Sequence, residues 1–364
     1  MAASRPAQMT TERIKTTVLD GFRQVAARID QIRLSSRRRK GPDFPLHFSL
    51  LSQPRLPNQD IHHSGDGSTE PHWNASQQHL SDMSQRPPAP PSLQELRKEI
   101  DAIDEGMHRL LMQRGDIIDR LIQVKQTQEV GSAFRPAREA AMMRDLVQRH
   151  RGILPLDTVE SIWRVIIATF TYVQAPFSVH ADISASEPAM RDSARFHFGF
   201  TVPYVAHFSA QAAVEAVAKS KGDLALVSAT SSRTPWWLSL EEAGAPKIIA
   251  RLPFVERADH PAALPVFAVS RVADSALVTE VETFSVRVSG WNAEVARVLS
   301  PLAEIVAVPD TAFDGAALLV SVTATSSLDK IKAALIEAGA SVRSTALVGS
   351  HATRYTVPPT GPKS

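Results

Sequence analysis

Residues 110–126, LLMQRGDIIDRLIQVKQ, place Arg114 and Lys125 eleven positions apart in a stretch of helical periodicity. Eleven residues at 3.6 per turn is close to three whole turns, so the two cations point the same way, about 16 Å apart along the axis. An anion fits between them. Arg97 lies 17 positions before Arg114, which is about 25 Å along one straight helix and about 42 Å from Lys125. One helix therefore cannot deliver Arg97 to a small ligand held by the other two. An antiparallel second copy can, and a two-fold dimer then has two equivalent sites. Guanidinium groups bind carboxylates bidentately, so two arginines imply two carboxylates. Downstream, FRPAREAAMMRDL carries Arg138 and Glu139 side by side, and Gln174 ends the apolar stretch IWRVIIATFTYVQ, where a polar side chain needs a partner. Taken singly, Arg97, Arg114 and Lys125 read equally as solvated helix charges, the commonest fate of Arg and Lys.

The elements that must position these groups are helical. SLQE at Ser92, following two prolines, has the form of a capping box in which Ser92 accepts from the backbone near Glu95 and Glu95 reaches back. Apolar residues then recur at Leu93, Leu96, Ile100, Ile103, Met107, Leu110, Leu111, Ile117, Ile118, Leu121 and Val124, up to a stop signal at Gly131. A helix of about 38 residues is some 57 Å long, more than one small domain needs to cover its core, so it is expected to pack along a partner. A second helix is predicted from about Ala137 to His150. A third is predicted from the capping sequence DTVE at Asp157 to about Val173, before Pro176.

Around this segment the chain changes character twice. Residues 1–91 hold ten of the 25 prolines among Ser, Gln, His and Asn, a composition that buries too little apolar surface to offset chain entropy, and are read as a disordered extension. A short amphipathic helix fits ERIKTTVLDGFRQVAARIDQI, Arg37 to Lys40 read as a solvated charge cluster, and His62, His63, His72 and His79 are too irregularly spaced for a metal site. Met83 offers an alternative translation start. From about residue 190 strand and helix signals alternate. SAQAAVEAVAKSKGDLALVSA reads as helix, turn and strand, and LPVFAVSR as a further strand. The stretch VETFSVRVS, WNAEVARVLSPL, AEIVAV, AALLVSV, SLDKIKAALIEAG, SVRSTALVG follows a βαββαβ order, which suggests a ferredoxin-like α/β unit.

The bulk numbers exclude several chemistries. The chain of 364 residues has no cysteine, which removes disulfides, thiolate catalysis and Cys-ligated zinc. A net charge of +2 does not argue for nucleic acid. With no apolar run of the roughly 18 residues needed to span a bilayer, and no secretory signal pattern, a cytoplasmic protein with no membrane partner is expected.

The stretch from LRKEIDAID through QVKQ, PAREAAMM and IIATFTYVQ resembles the AroQ-type chorismate mutase domain, over Ser92 to Ala175. The resemblance implies an all-helical, intertwined homodimer that converts chorismate to prephenate in aromatic amino-acid biosynthesis, with no cofactor and no metal. It implies that Arg97 crosses to the partner's site, Arg114 binds a substrate carboxylate, and Lys125 contacts the ether oxygen and a carboxylate. Arg138 and Glu139 match the pair opening the second helix, where the glutamate accepts from the substrate hydroxyl, and Gln174 matches the third-helix residue facing the ether oxygen. Two positions depart from the pattern: Arg135 stands where some members have an acid, and Phe170 where some have a small hydroxyl residue.

The reaction so implied is pericyclic and needs no nucleophile, acid or base. Its catalysis rests on holding the dianion folded and on stabilising charge that grows on the ether oxygen. Further on, GDLALVSATSSRTPWWLSLEEAGAPKIIARLPFVERADHPAALPVFAVSR distantly resembles the later part of a prephenate dehydratase domain, and the βαββαβ pattern sits where that family carries an ACT regulatory domain. The Thr-Arg-Phe motif of the dehydratase has no counterpart, because LPVFAV occupies its place, and a degenerate remnant is inferred. Arg233, Trp236 and Trp237 cluster conspicuously, with aromatic packing as the simpler explanation. The expected organisation is thus a tail (1–91), a mutase domain (92–176), a dehydratase-like α/β remnant (177–275), an ACT-like unit (276–358) and a short end (359–364). The alternatives are a bifunctional mutase/dehydratase, which would form phenylpyruvate from prephenate, and a catalytically silent helical module that binds an effector.

Overall fold

The computed structural model describes residues 90–125, 133–230, 232–271, 280–323 and 325–357. The expectations for residues 1–89, and the stop signal at Gly131, lie outside them. The chain from Ala89 onward forms one unit.

Three helices come first: α1 (Leu93–Lys125), α2 (Pro136–Arg149) and α3 (Leu156–Gln174). The capping box at the start of α1 forms as expected. Ser92 N–H donates to Glu95 Oε2 at 2.7 Å, and Glu95 N–H to Ser92 Oγ at 3.3 Å. α2 begins with Pro136, whose missing N–H costs nothing in a first turn. Asp157 does not cap α3, correcting the sequence expectation. The helix starts one residue earlier, with Pro155 at the cap position in extended backbone (φ −58°, ψ 142°), and Asp157 sits inside the first turn, where its charge still suits the helix dipole.

α1 keeps its apolar stripe in the open. Ile100, Ile103, Met107, Leu110, Ile117 and Val124 are each more than half exposed. α2 and α3 behave differently. Met143, Leu146, Ile167 and Ala168 are buried in the same core as Phe177, Val179, Leu226, Leu252 and Ala268 of the following region, so these helices are one layer of a larger body.

That region alternates β1 (Val179–Asp182), α4 (Glu187–Phe198), β2 (Tyr204–His207), α5 (Ala210–Ala218) and β3 (Leu224–Ser228). A 3-10 turn (Trp236–Leu240), β4 (Lys247–Leu252), β5 (Val255–Glu256) and β6 (Val266–Ser270) follow. Next come β7 (Val281–Ser289), α6 (Ala293–Leu299), β8 (Glu304–Asp310), β9 (Gly315–Thr323), α7 (Leu328–Glu337), β10 (Ser341–His351) and β11 (Tyr355–Thr356). Nine strands make one mixed sheet in the order β2-β1-β3-β6-β4-β10-β7-β9-β8. β1 pairs in parallel with β2 and β3, as short β–α–β crossovers require, and β10, β7, β9 and β8 are antiparallel neighbours.

The two halves of the sheet are joined by β10 lying parallel to β4, with Gly349 opposite Ile248. Only glycine fits there, because a Cβ would stand 2.2 Å from the Ile248 carbonyl oxygen. The sheet also curls. Val306 and Val308 of edge strand β8 share a core with Trp237, Ile248, Phe267 and Val348, and Glu304 of β8 pairs with the buried Arg251 of β4. Trp236 and Trp237, 3% and 0% exposed, are core residues of this cluster, while Arg233 is exposed.

Candidate active site

Arg114 is the centre of the candidate site. α1 meets α3 there: the Arg114 guanidinium lies over the Phe170 ring, 5.1 Å from its centroid. Phe170 is thus a cation–π platform for the arginine, a role that its departure from the family pattern did not suggest. Burial, and then the nearby charge of Arg138, push Arg114 below its ordinary value. Among the described residues neither Arg114 nor Arg138 is held in an ion pair. A half-buried guanidinium without a carboxylate partner is suited to an anionic ligand.

The other sequence-assigned residues fall as follows. Arg97 is exposed on α1, roughly 25 Å from Arg114 by helical rise, so one chain does not bring the two together. Lys125 closes α1. Gln174 ends α3 and donates from Nε2 to the Phe170 carbonyl at 3.0 Å. Arg138 is exposed in the first turn of α2, and Arg135, also exposed, donates to the Phe134 carbonyl at 3.2 Å.

Glu139 is almost fully buried, and its Oε2 accepts from Arg164 Nη1 at 2.7 Å. The Arg164 partner was not singled out from sequence. Its signal was a lone arginine inside IWRVIIATF, a stretch otherwise suited to burial on all sides. Glu160 lies four residues before Arg164, the spacing of a helical ion pair, yet it turns the other way. Its Oε1 is 3.2 Å from His260 Nε2 and its Oε2 3.6 Å from Arg257 Nη1. His197, fully buried beside Arg164 and stacked on His260 with centroids 6.1 Å apart, is held well below its ordinary value, first by burial and then by those two neighbours.

A second polar group lies on β1 and β2, where His180 Nδ1 is 2.8 Å from His207 Nε2 and His180 Nε2 is 3.4 Å from Asp223 Oδ2. Among the described residues no group of three or more His, Asp or Glu is placed to hold a metal, and no described helix is long and apolar enough to cross a membrane.

Comparison with known proteins points to the same helices. A stretch of 103 residues, 28% of this chain, is 29% identical to a bifunctional chorismate mutase/prephenate dehydratase of Neisseria gonorrhoeae and spans 27% of that protein's length. A solved structure described as GqqA, a novel type of quorum quenching acylase, covers 48% of this chain and 94% of its own at 14% identity, with a TM-score of 0.31. Residues 96–175 match the family chorismate mutase type II, so the helical segment that carries Arg114, Arg138 and Glu139 is similar to a chorismate mutase type II domain, and an α/β region with a large mixed sheet follows it.

Proposed function

We propose that this chain rearranges chorismate to prephenate, and the observation that carries the reading is the half-buried Arg114, held over the Phe170 ring, with no ion pair to a carboxylate among the described residues. The substrate is a dianion. Arg114, held on Phe170, takes one carboxylate, and Arg97 from a second copy takes the other. The exposed apolar stripe of α1 supports that second copy, because a continuous apolar face of this length marks an interface. Lys125 and Gln174 donate to the ether oxygen as the C–O bond breaks, an interaction stronger in the transition state than in the ground state. Glu139 accepts from the ring hydroxyl. In this reading the strands β7 to β10 form a ferredoxin-like, ACT-like unit, and the preceding α/β part is a dehydratase remnant that supports the mutase.

The test follows chorismate loss by absorbance with the full chain, with prephenate converted to phenylpyruvate by acid, beside Lys125→Ala. One transition-state donor is worth about 3 kcal/mol, so the variant is expected to lose at least a hundredfold in kcat with a much smaller change in KM. Near-normal turnover in Lys125→Ala refutes the assignment. The name of the Neisseria relative motivates a second reading, in which the chain also dehydrates prephenate. Phenylpyruvate formed from prephenate at neutral pH, faster than without protein, would establish it.

A further inference from the structure

We infer that Arg164 is a positioning residue for this reaction and that the α/β region is what holds it, so that the region after residue 176 completes the site without touching substrate. The inference rests on the mutase reading above.

Arg164 is 1% exposed in the middle of α3, and its fork is used in two directions. Nη1 donates to Glu139 Oε2 on α2 at 2.7 Å, while Nη2 donates to the backbone carbonyl of His197 on α4 at 3.1 Å. The guanidinium also lies over the Phe254 ring, 5.2 Å from its centroid. Two of these three contacts come from outside the helical domain. They fix the plane of the fork, and the fork in turn fixes one carboxylate oxygen of Glu139.

An ionised carboxylate only accepts hydrogen bonds, which is what a substrate hydroxyl requires. Leaving it buried without a cation is costly. With Oε2 bound to Arg164, Oε1 is left as the acceptor for a ligand, and the orientation of the carboxylate is set by the ion pair. Glu160, the one acid at helical spacing that would compete for Arg164, is drawn off by His260 and Arg257 of the α/β region. Arg164 is thereby committed to Glu139. A mutase domain that ended at residue 176 would lose the His197 carbonyl, the Phe254 ring and both partners of Glu160.

The experiment measures kcat and KM for chorismate with the full-length wild type, Glu139→Gln, Arg164→Met, Arg164→Lys and the double variant Glu139→Gln/Arg164→Met, each normalised to folded protein by circular dichroism. Glu139→Gln and Arg164→Met are expected to lower kcat/KM by similar factors, on the order of ten- to a hundredfold, and the double variant by no more than the worse single one. Arg164→Lys should recover part of the loss, since an ammonium reaches Glu139 but cannot hold the His197 carbonyl as well. Losses that multiply in the double variant, or wild-type kcat/KM per folded molecule in Arg164→Met, overturn the positioning role and leave the mutase reading standing. If Arg164→Met does not fold, the same cycle is run with Arg164→Lys. A wild type that folds but does not turn over chorismate overturns both.

Discussion

Phe198→Ala tests whether the helical domain and the α/β region fold as one. Phe198 ends α4 at 2% exposure, with its ring 6.1 Å from Phe134, which leads into α2, and 6.2 Å from Phe177, which leads into β1. Removing a buried phenyl ring leaves a cavity costing about 3–5 kcal/mol. For a cooperative unit spanning Ala89–Ser364, an unfolding entropy of about 2.1 cal/mol/K per residue turns about 4 kcal/mol into a fall in Tm of roughly 7 °C. Thermal unfolding followed by far-UV circular dichroism reads the helices of both parts, and near-UV circular dichroism reads the packed aromatic side chains, Trp163 on α3 as well as Trp236 and Trp237. Both signals should fall together, before and after the substitution. Two separate transitions, only one of which moves on substitution, would refute the shared core and leave α2 and α3 an independent domain.

Three more outcomes follow from single sites. His351 is almost fully buried, and burial, against the favourable Ala352 carbonyl, lowers it from 6.5 to about 4. The unfolded chain therefore takes up a proton that the folded chain refuses, and stability falls as pH drops from about 6.5 to 4, by about 2 kcal/mol at pH 5. Urea unfolding at pH 7 and pH 5 should show that loss shrinking in His351→Asn, and an unchanged pH dependence contradicts it. Gly349→Ala drives a Cβ against the Ile248 carbonyl, and should cost at least about 3 kcal/mol or abolish soluble expression; a wild-type melting point would show that β10 does not lie against β4. Phe170→Ser removes the ring under Arg114, so KM for chorismate should rise several-fold, from a contact worth about 1 kcal/mol, and an unchanged KM counts against the platform.

The parts of this fold written in local sequence were readable from it. The Ser92 capping box, the bounds of α2 and α3 to within two residues, and the succession β7-α6-β8-β9-α7-β10 depend on neighbours a few positions apart. What escaped depends on residues far apart in the chain. Nothing local in SVRSTALVGSH says that this strand will lie beside KIIARL, about a hundred positions earlier, although Gly349 marks a close backbone approach. The charges within α3 escaped for the same reason. At i and i+4, Glu160 and Arg164 invite pairing with each other, but the α/β region offers His260 and Arg257 to one, and α2 offers Glu139 to the other. Asp157 misled because cap preference in sequence does not weigh the backbone that Pro155 imposes.

The placement of β10 also orders events as the chain is made. It is the last strand of the large sheet to emerge, yet it belongs between β4 and β7, inside the row of nine. Until residue 351 has been synthesised, both of those neighbours wait with an unpaired edge, the condition in which nascent sheets seek partners in other chains. A ribosome stalled shortly before that point would hold a sheet with two sticky borders. β10 therefore closes the body that supports Arg164, and the nine-stranded sheet cannot be complete before that strand has been made.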